Sequence, residues 1–142
     1  LQRQKSLTSG IWIDQLNRTE LATSISARFD TKHGGLEKPI SGLSGGNQQR
    51  FVAARALSIE PKVILAFQPA RGLDIEATRQ VYEAIALECS NGACAIVVSF
   101  ALDELIDNCD RIVAMNRGKI FEPASGLERD RKAIGELMVA SE

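Results

Sequence analysis

The chain has 142 residues, of which 44% are hydrophobic and 25% charged, with a formal net charge of -1 at pH 7. That length holds about one domain, and the balanced charge argues against a dedicated nucleic-acid surface, which needs clustered lysine and arginine. No apolar run in the sequence approaches the length of a membrane span, so a role at a membrane has to go through a partner.

No leader pattern is visible, and the chain opens at Leu1 without a methionine, which reads as a fragment or a processed product. Cys89, Cys94 and Cys109 are odd in number and lack metal-type spacing. They read as buried or partly buried thiols in a reducing compartment. His33 is the single histidine and lies in a glycine-flanked polar loop, where a solvated residue is expected, not a ligand or a general base.

Residues 1–15 mix basic, polar and apolar positions, with Ile11, Trp12 and Ile13 as a short apolar knot. Leu16, Leu21, Ile25 and Phe29 then recur at helical spacing. They predict a helix from Asn17 to Phe29, capped by Asn17 or Thr19 and packed on the helix that follows. Thr31 to Gly42 holds Gly34, Gly35 and Pro39 and reads as a loop.

Leu43-Ser44-Gly45-Gly46-Asn47-Gln48-Gln49 comes next and leads into an alanine-rich amphipathic run, Arg50 to Leu57. A helix from Gly46 to Leu57 or Ser58 is predicted. The first amides of a helix have no partner inside it, and the dipole places partial positive charge there. A phosphate fits such an end. Ser44 can cap the helix or donate its hydroxyl to the same anion. A bare Ser-Gly-Gly is more often an ordinary helix start; the full seven-residue string is far more specific. Glu60-Pro61 stops the helix, because proline cannot continue the ladder and restricts the residue before it.

Val63 to Ala66 is an unbroken apolar run that predicts a strand covered on both faces. Gln68 to Leu73 is turn-rich, and Asp74 caps a helix reaching Cys89, with Ile75, Val81 or Tyr82, and Ile85 inward. Asn91-Gly92 is a turn and Ala93 to Val98 a second buried strand. Leu102 to Asn108 reads as a short helix, with Asp103 and Glu104 where the dipole favours them. Arg111 to Met115 reads as a third strand, Asn116-Arg117-Gly118 as a turn, and Lys119 to Phe121 as a shorter strand. Arg131 to Val139 closes the chain as a helix with Ile134, Leu137 and Met138 inward. The alternation predicts an α/β fold: a helical part, 1–58, leading into a mostly parallel sheet with flanking helices, 59–142.

The string LSGGNQQ resembles the signature motif of ATP-binding-cassette (ABC) ATPases, in the form seen in importers of simple sugars and nucleosides. Ala27-Arg28-Phe29-Asp30 stands upstream as in similar importer ATPases. Pro61 to Ala66 looks like the Walker B strand, and Arg71-Gly72-Leu73-Asp74 looks like the D-loop. Asp103, Glu104, Cys109-Asp110-Arg111-Ile112 and Arg117-Gly118-Lys119-Ile120 resemble the strand-and-turn ending of these cassettes. The resemblance implies a partial P-loop-type ABC ATPase domain: a helical signature subdomain at 1–58 and the C-terminal part of the ATPase core at 59–142. The match is to the second, degenerate cassette of a tandem importer ATPase.

Three departures from the family pattern bear on chemistry. No G-x-x-x-x-G-K-[ST] occurs, so no phosphate-cradling loop is present; the resemblance places that loop upstream of the helical part. The Walker B strand of the family ends in Asp-Glu, for magnesium and for the attacking water. Here those positions are Phe67 and Gln68. A phenyl ring cannot coordinate magnesium, and a carboxamide cannot serve as a base. The switch histidine of the family aligns with Phe100. Truncation alone cannot produce all three losses, so this half is expected to have been a degenerate site in its parent ATPase. The chain alone is expected to be inactive, with no catalytic residue and no metal ligand.

The resemblance implies a role in trans. Leu43, Ser44, Gly45, Gly46, Asn47 and Gln48 would bind ATP held by the phosphate loop of a second cassette, and Arg71, Gly72, Leu73 and Asp74 would cross the dimer interface. ATP and Mg2+ would belong to the assembled transporter, with none expected in the isolated chain. The implied partners are the intact cassette, transmembrane permease subunits and, indirectly, a substrate-binding protein, but no nucleic acid. The implied location is cytoplasmic, on the inner face of the cell membrane. The alternative is a non-catalytic interaction module that docks the membrane subunit and the partner cassette. A Rossmann-like enzyme would need a glycine-rich strand-to-helix loop, and none is found. Sheet edges left without neighbours predict association of the isolated chain.

Overall fold

A computed structural model describes residues 8–9, 12–28, 34–36, 38–59 and 61–139. The readings that fall on Ile11, Phe29, Asp30, His33 and Glu60 lie outside them. The chain forms two compact units, one of Leu1–Leu65 with Pro69–Ile96 and one of Ala66–Gln68 with Val97–Glu142.

In the first unit, β1 (Thr8–Ser9) and β2 (Trp12–Ile13) form a short antiparallel ladder, with Thr8 opposite Ile13 and Ser9 opposite Trp12. Trp12 and Ile13 are exposed, so the expected apolar knot is not buried at these residues. Helix α1 (Gln15–Arg28) starts earlier than the hydrophobic spacing suggests. Its cap is Asp14: one carboxylate oxygen accepts from the Asn17 N–H at 3.1 Å and the other from Asn17 Nδ2 at 2.7 Å. Asn17 is therefore a first-turn residue and Thr19 the fifth residue of the helix, and Thr19 Oγ donates back to the Gln15 carbonyl. Ile25 is buried, Leu21 is half-buried, and Leu16 is exposed.

A single 3-10 turn at Ile40–Gly42 leads into α2 (Gly45–Leu57), which packs on α1 as the sequence predicts. Ala54 and Leu57 are its buried residues, and the Ser58 N–H closes on the Ala54 carbonyl. Helix α3 (Ile75–Ser90) also packs on α2, and its buried residues Ala77, Val81, Ile85 and Glu88 form a stripe at helical spacing, joined by Tyr82. Ile75, expected inward, is 91% exposed. Two residues before Ala77 on a helix is nearly the opposite face, so Ile75 points away from the stripe.

Strands β3 (Val63–Phe67) and β4 (Cys94–Val98) are neighbours in one sheet. In the first unit the Cys94 N–H donates to the Lys62 carbonyl at 2.9 Å; in the second, the Gln68 N–H donates to the Val98 carbonyl at 2.7 Å. Partners advance along both strands together, as in a parallel pair. Along β3 burial alternates: Ile64 is buried, whereas Val63, Leu65 and Phe67 are exposed. The strand is thus covered on one face, not on both as its apolar run suggests.

In the second unit, β5 (Ala114–Asn116) and β6 (Lys119–Phe121) pair antiparallel, with Met115 opposite Ile120. Arg117 and Gly118 both have positive φ, 48° and 78°, which is the two-residue turn that matches strand twist. The strand begins at Ala114, not at Arg111, whose guanidinium pairs with Glu122. Helix α4 (Leu102–Asn108) and β5 both contact α5 (Arg131–Val139), where Ile134 is 1% exposed. Asp130 caps α5 by accepting from the Ala133 N–H at 2.7 Å, and Arg131 pairs with Asp103 at 3.0 Å. Leu137 is half-buried and Met138, expected inward, is exposed. No disulfide forms among the described cysteines; Cys94 is exposed, while Cys89 and Cys109 are half-buried.

Candidate functional site

The start of α2 is built from Ser44. Its backbone is extended (φ -60°, ψ 154°), and its Oγ accepts from the Asn47 N–H at 3.4 Å and from Asn47 Nδ2 at 3.0 Å. Its carbonyl accepts from the Gln48 N–H at 2.9 Å, and Gln48 Nε2 reaches back to the Leu43 carbonyl at 2.9 Å. Asn47 and Gln48 therefore fold onto the loop before the helix. Leu43 lines a small apolar cavity of about 80 Å³ together with Ala22, Ile40 and Phe51, so it contributes packing. The first-turn amides of Gly45 and Gly46 have no acceptor within the helix.

Neither glycine is demanded by the chain's own packing. A Cβ on Gly45 would meet nothing within 4 Å. One on Gly46 would meet only Leu73 Cδ2 at 3.9 Å and the Gly72 carbonyl at 4.0 Å, which is ordinary contact. Neither residue has positive φ. Glycine costs about 1 kcal/mol relative to alanine in a helix interior and less in the first turn, where this pair follows the Ser44 cap, and no crowding among the described residues requires it.

The loop before α3 lies against this helix start. The Leu73 N–H donates to the Ala70 carbonyl at 3.1 Å, closing a turn in which Gly72 has φ of 77°. That left-handed position is the one a type II turn reserves for glycine. Asp74 caps α3 through one carboxylate oxygen, which accepts from the Ala77 N–H at 2.7 Å. Its other oxygen pairs with Arg50 Nη2 at 3.0 Å; the Arg50 side chain is 15% exposed and that of Asp74 68%. Gln49 Nε2 donates to the Pro69 carbonyl at 3.0 Å. The structure thus brings Gly46, Gly72, Leu73 and Asp74 together, while Arg71 is exposed. Gln49 and Arg50 escaped the sequence-derived candidates. Their signal was position: they stand three and four residues after Gly46, on its face of the helix.

One turn further along α3, the Arg79 guanidinium and then the Gln80 amide hold the Glu76 carboxyl below the usual carboxylate range. Glu76 and Glu83 in turn push Arg79 up, so it stays charged. These are solvent-exposed pairs on one helix face.

In the second unit, Phe67 and Phe100 are 68% and 75% exposed. Gln68 sits at the end of β3 with φ of 51°, and its Nε2 is buried without a hydrogen-bond partner. Neither phenyl can ligate a metal ion, and none of the three side chains can act as a base. Among the described residues no group of His, Cys, Asp or Glu can hold a metal ion, and no helix is long and apolar enough to cross a membrane. A larger cavity of about 540 Å³ lies beside Ser58, Lys62 and Glu88, at the opposite end of α2 from Ser44.

The fold is that of part of an ABC ATPase domain. It is similar to the ATP-binding cassette MJ0796 solved in a post-hydrolysis state with ADP and Pi, with a TM-score of 0.61 and 26% identity over 72% of this chain and 44% of that one. No protein-family model matches the chain. Over 133 residues, 94% of its length, it is 35% identical to the ribose import ATP-binding protein RbsA 2 of Rhizobium meliloti, covering 26% of that protein. Over 135 residues it is 32% identical to the glucose import ATP-binding protein TsgD13 of Haloferax volcanii, covering 94% of this chain and 24% of that protein. The chain is therefore a homologue of part of a sugar-importing ABC ATPase. It spans about a quarter of the length of these curated relatives.

Proposed function

We propose that the chain is part of the ATP-binding subunit of an importer for a sugar or nucleoside, and that it supplies Ser44, Gly45 and Gly46 in trans to ATP held by the phosphate loop of a second cassette. The observation that supports this reading is the Gly45-Gly46 pair. Among the described residues nothing comes within 4 Å of a Cβ on Gly45 and only Leu73 and Gly72 come near one on Gly46, and the first-turn amides sit at the positive end of the helix dipole. An anion approaching from outside is the partner for which such a surface is suited. Asn47 and Gln48 stiffen the loop on which the glycines sit, and Leu43 anchors it. Asp74 and its loop lie on the same side as Gly46 and face the same partner.

In this reading Phe67, Gln68 and Phe100 mark a half-site that hydrolyses nothing itself. ATP and Mg2+ are held by the partner cassette, whose hydrolysis drives uptake through permease subunits at the inner face of the cell membrane. The half of the ATPase core from residue 59 onward carries the degenerate site, and the helical part before it carries the signature.

The test is a titration with a fluorescent ATP analogue and magnesium, with and without a cassette that has an intact phosphate loop. Binding should require the partner cassette and should be lost with Gly45→Asp and weakened with Ser44→Ala. Gly45→Ala and Gly46→Ala should raise the stability of the chain by up to about 1 kcal/mol each while weakening partner-dependent binding. Tight magnesium-dependent binding by the chain alone would falsify the assignment. The second reading, a docking module, draws on the exposed apolar residues Trp12 and Ile13 of β2 and Leu16 of α1. It requires that the Ser44 and Gly45 variants leave ATP turnover of the assembly unchanged.

A further inference from the structure

The geometry points to Arg50 and Gln49 as positioning residues that clamp the loop carrying Asp74 to the signature helix, so that both meet the partner cassette as one body; this rests on the trans reading above. Contacts at both ends of the loop support it. Gln49 Nε2 holds the Pro69 carbonyl at 3.0 Å where the loop begins, and Arg50 Nη2 holds Asp74 Oδ2 at 3.0 Å where it ends. Between them Leu73 Cδ2 and the Gly72 carbonyl stand 3.9 and 4.0 Å from where a Cβ on Gly46 would sit. The residues bridged are 20 and 24 positions apart in sequence, so local chain stiffness does not explain the arrangement.

Asp74 splits its carboxylate between two tasks: one oxygen caps α3 and the other takes Arg50. Capping needs only an acceptor oxygen, whereas the pair with Arg50 needs the charge. Asparagine serves as well as aspartate at an N-cap, but with its carbonyl used for the cap it turns an NH2 donor towards the guanidinium. Asp74→Asn therefore keeps the helix start and removes the clamp. Arg50→Met keeps the aliphatic stem, which carries the packing of a side chain that is 15% exposed, and removes the head.

The experiment is a double-mutant cycle on the full-length ATPase that carries this chain, assembled with its intact cassette and permease, reading kcat and KM for ATP. Arg50→Met and Asp74→Asn should each lower kcat roughly three- to tenfold, within the span of pairwise couplings between contacting residues, with KM for ATP unchanged. The double variant should be no worse than either single. Arg50→Lys should restore much of kcat, because the contact runs through one nitrogen and one oxygen and not through a two-pronged fork. Gln49→Ala should lower kcat in the same direction with less effect. Additive losses, unchanged kcat, or a rise in KM alone would overturn the clamp. Ser44→Ala in the same assembly separates the two failures: if it spares turnover, the trans reading falls and the clamp with it. If Ser44→Ala impairs turnover while the Arg50 and Asp74 effects add, the clamp alone falls.

Discussion

The side chain of Asn47 holds the Ser44 hydroxyl more closely than the Asn47 backbone does: Nδ2 lies 3.0 Å from Oγ, the backbone nitrogen 3.4 Å. The cap at the start of α2 is thus a side-chain pair as much as a helix cap. Because the backbone bond is long, Ser44→Ala should cost about 0.5 kcal/mol, the low end of the range for losing an N-cap. Urea unfolding of the two chains side by side measures it.

The two isoleucines at 75 and 134 should behave as opposites. Ile134 is 1% exposed where α5 meets β5, and truncation to alanine there should cost about 2–5 kcal/mol. Ile75 is 91% exposed, and Ile75→Ala should stay within about 0.5 kcal/mol of the parent chain. The pair is read by shifts in the denaturation midpoint.

Acid should act on α3 through Glu76. Its carboxyl titrates below the ordinary value of 4.5 in the folded chain because of Arg79 and Gln80. In the acid range the unfolded chain then binds more protons at this site than the folded one. The contribution is present in full above the ordinary value and is lost as pH falls through the lowered one. Glu76→Gln should flatten the fall of stability in that window. Because the pair is exposed, added salt should shrink the difference.

The exposed row Val63, Leu65 and Phe67 on β3 should make the isolated chain associate. Sedimentation velocity over a concentration series should show mass rising with concentration, and Leu65→Lys should reduce the rise. A monomer at every concentration would count against this use of the face.

Much of the layout was legible because it depends on local chemistry. Ser44 and Asp74 cap the helices they precede, Pro61 follows the end of α2, and β3, β4, α4 and α5 lie within a residue of the spans that apolar runs and turn residues mark. Misses came where one local signal outweighed another, or where the deciding partner is distant in sequence. Asp14 displaced Asn17 and Thr19 as the cap of α1 because an acceptor three residues before a free amide outweighs the hydrophobic spacing. Ile75 looked inward by type, but the stripe of α3 is set by Ala77 and Val81. Val63 and Leu65 read as core, since an apolar run does not say whether its second face is covered. At the candidate site the glycines and the Asp74 loop stood out in the sequence, yet Gln49 and Arg50 did not. Their partners are distant in sequence, and only folding brings them together.

The two-way use of Asp74 has an electrostatic consequence. A bare carboxylate beside a helix start would repel any anion drawn to that start by the dipole. Here one oxygen faces a backbone amide and the other a guanidinium, so the charge is answered on both sides. The neighbourhood of Gly46 is left with a compact neutral pair in place of a negative point, and the attraction of the bare amides reaches outward undiminished.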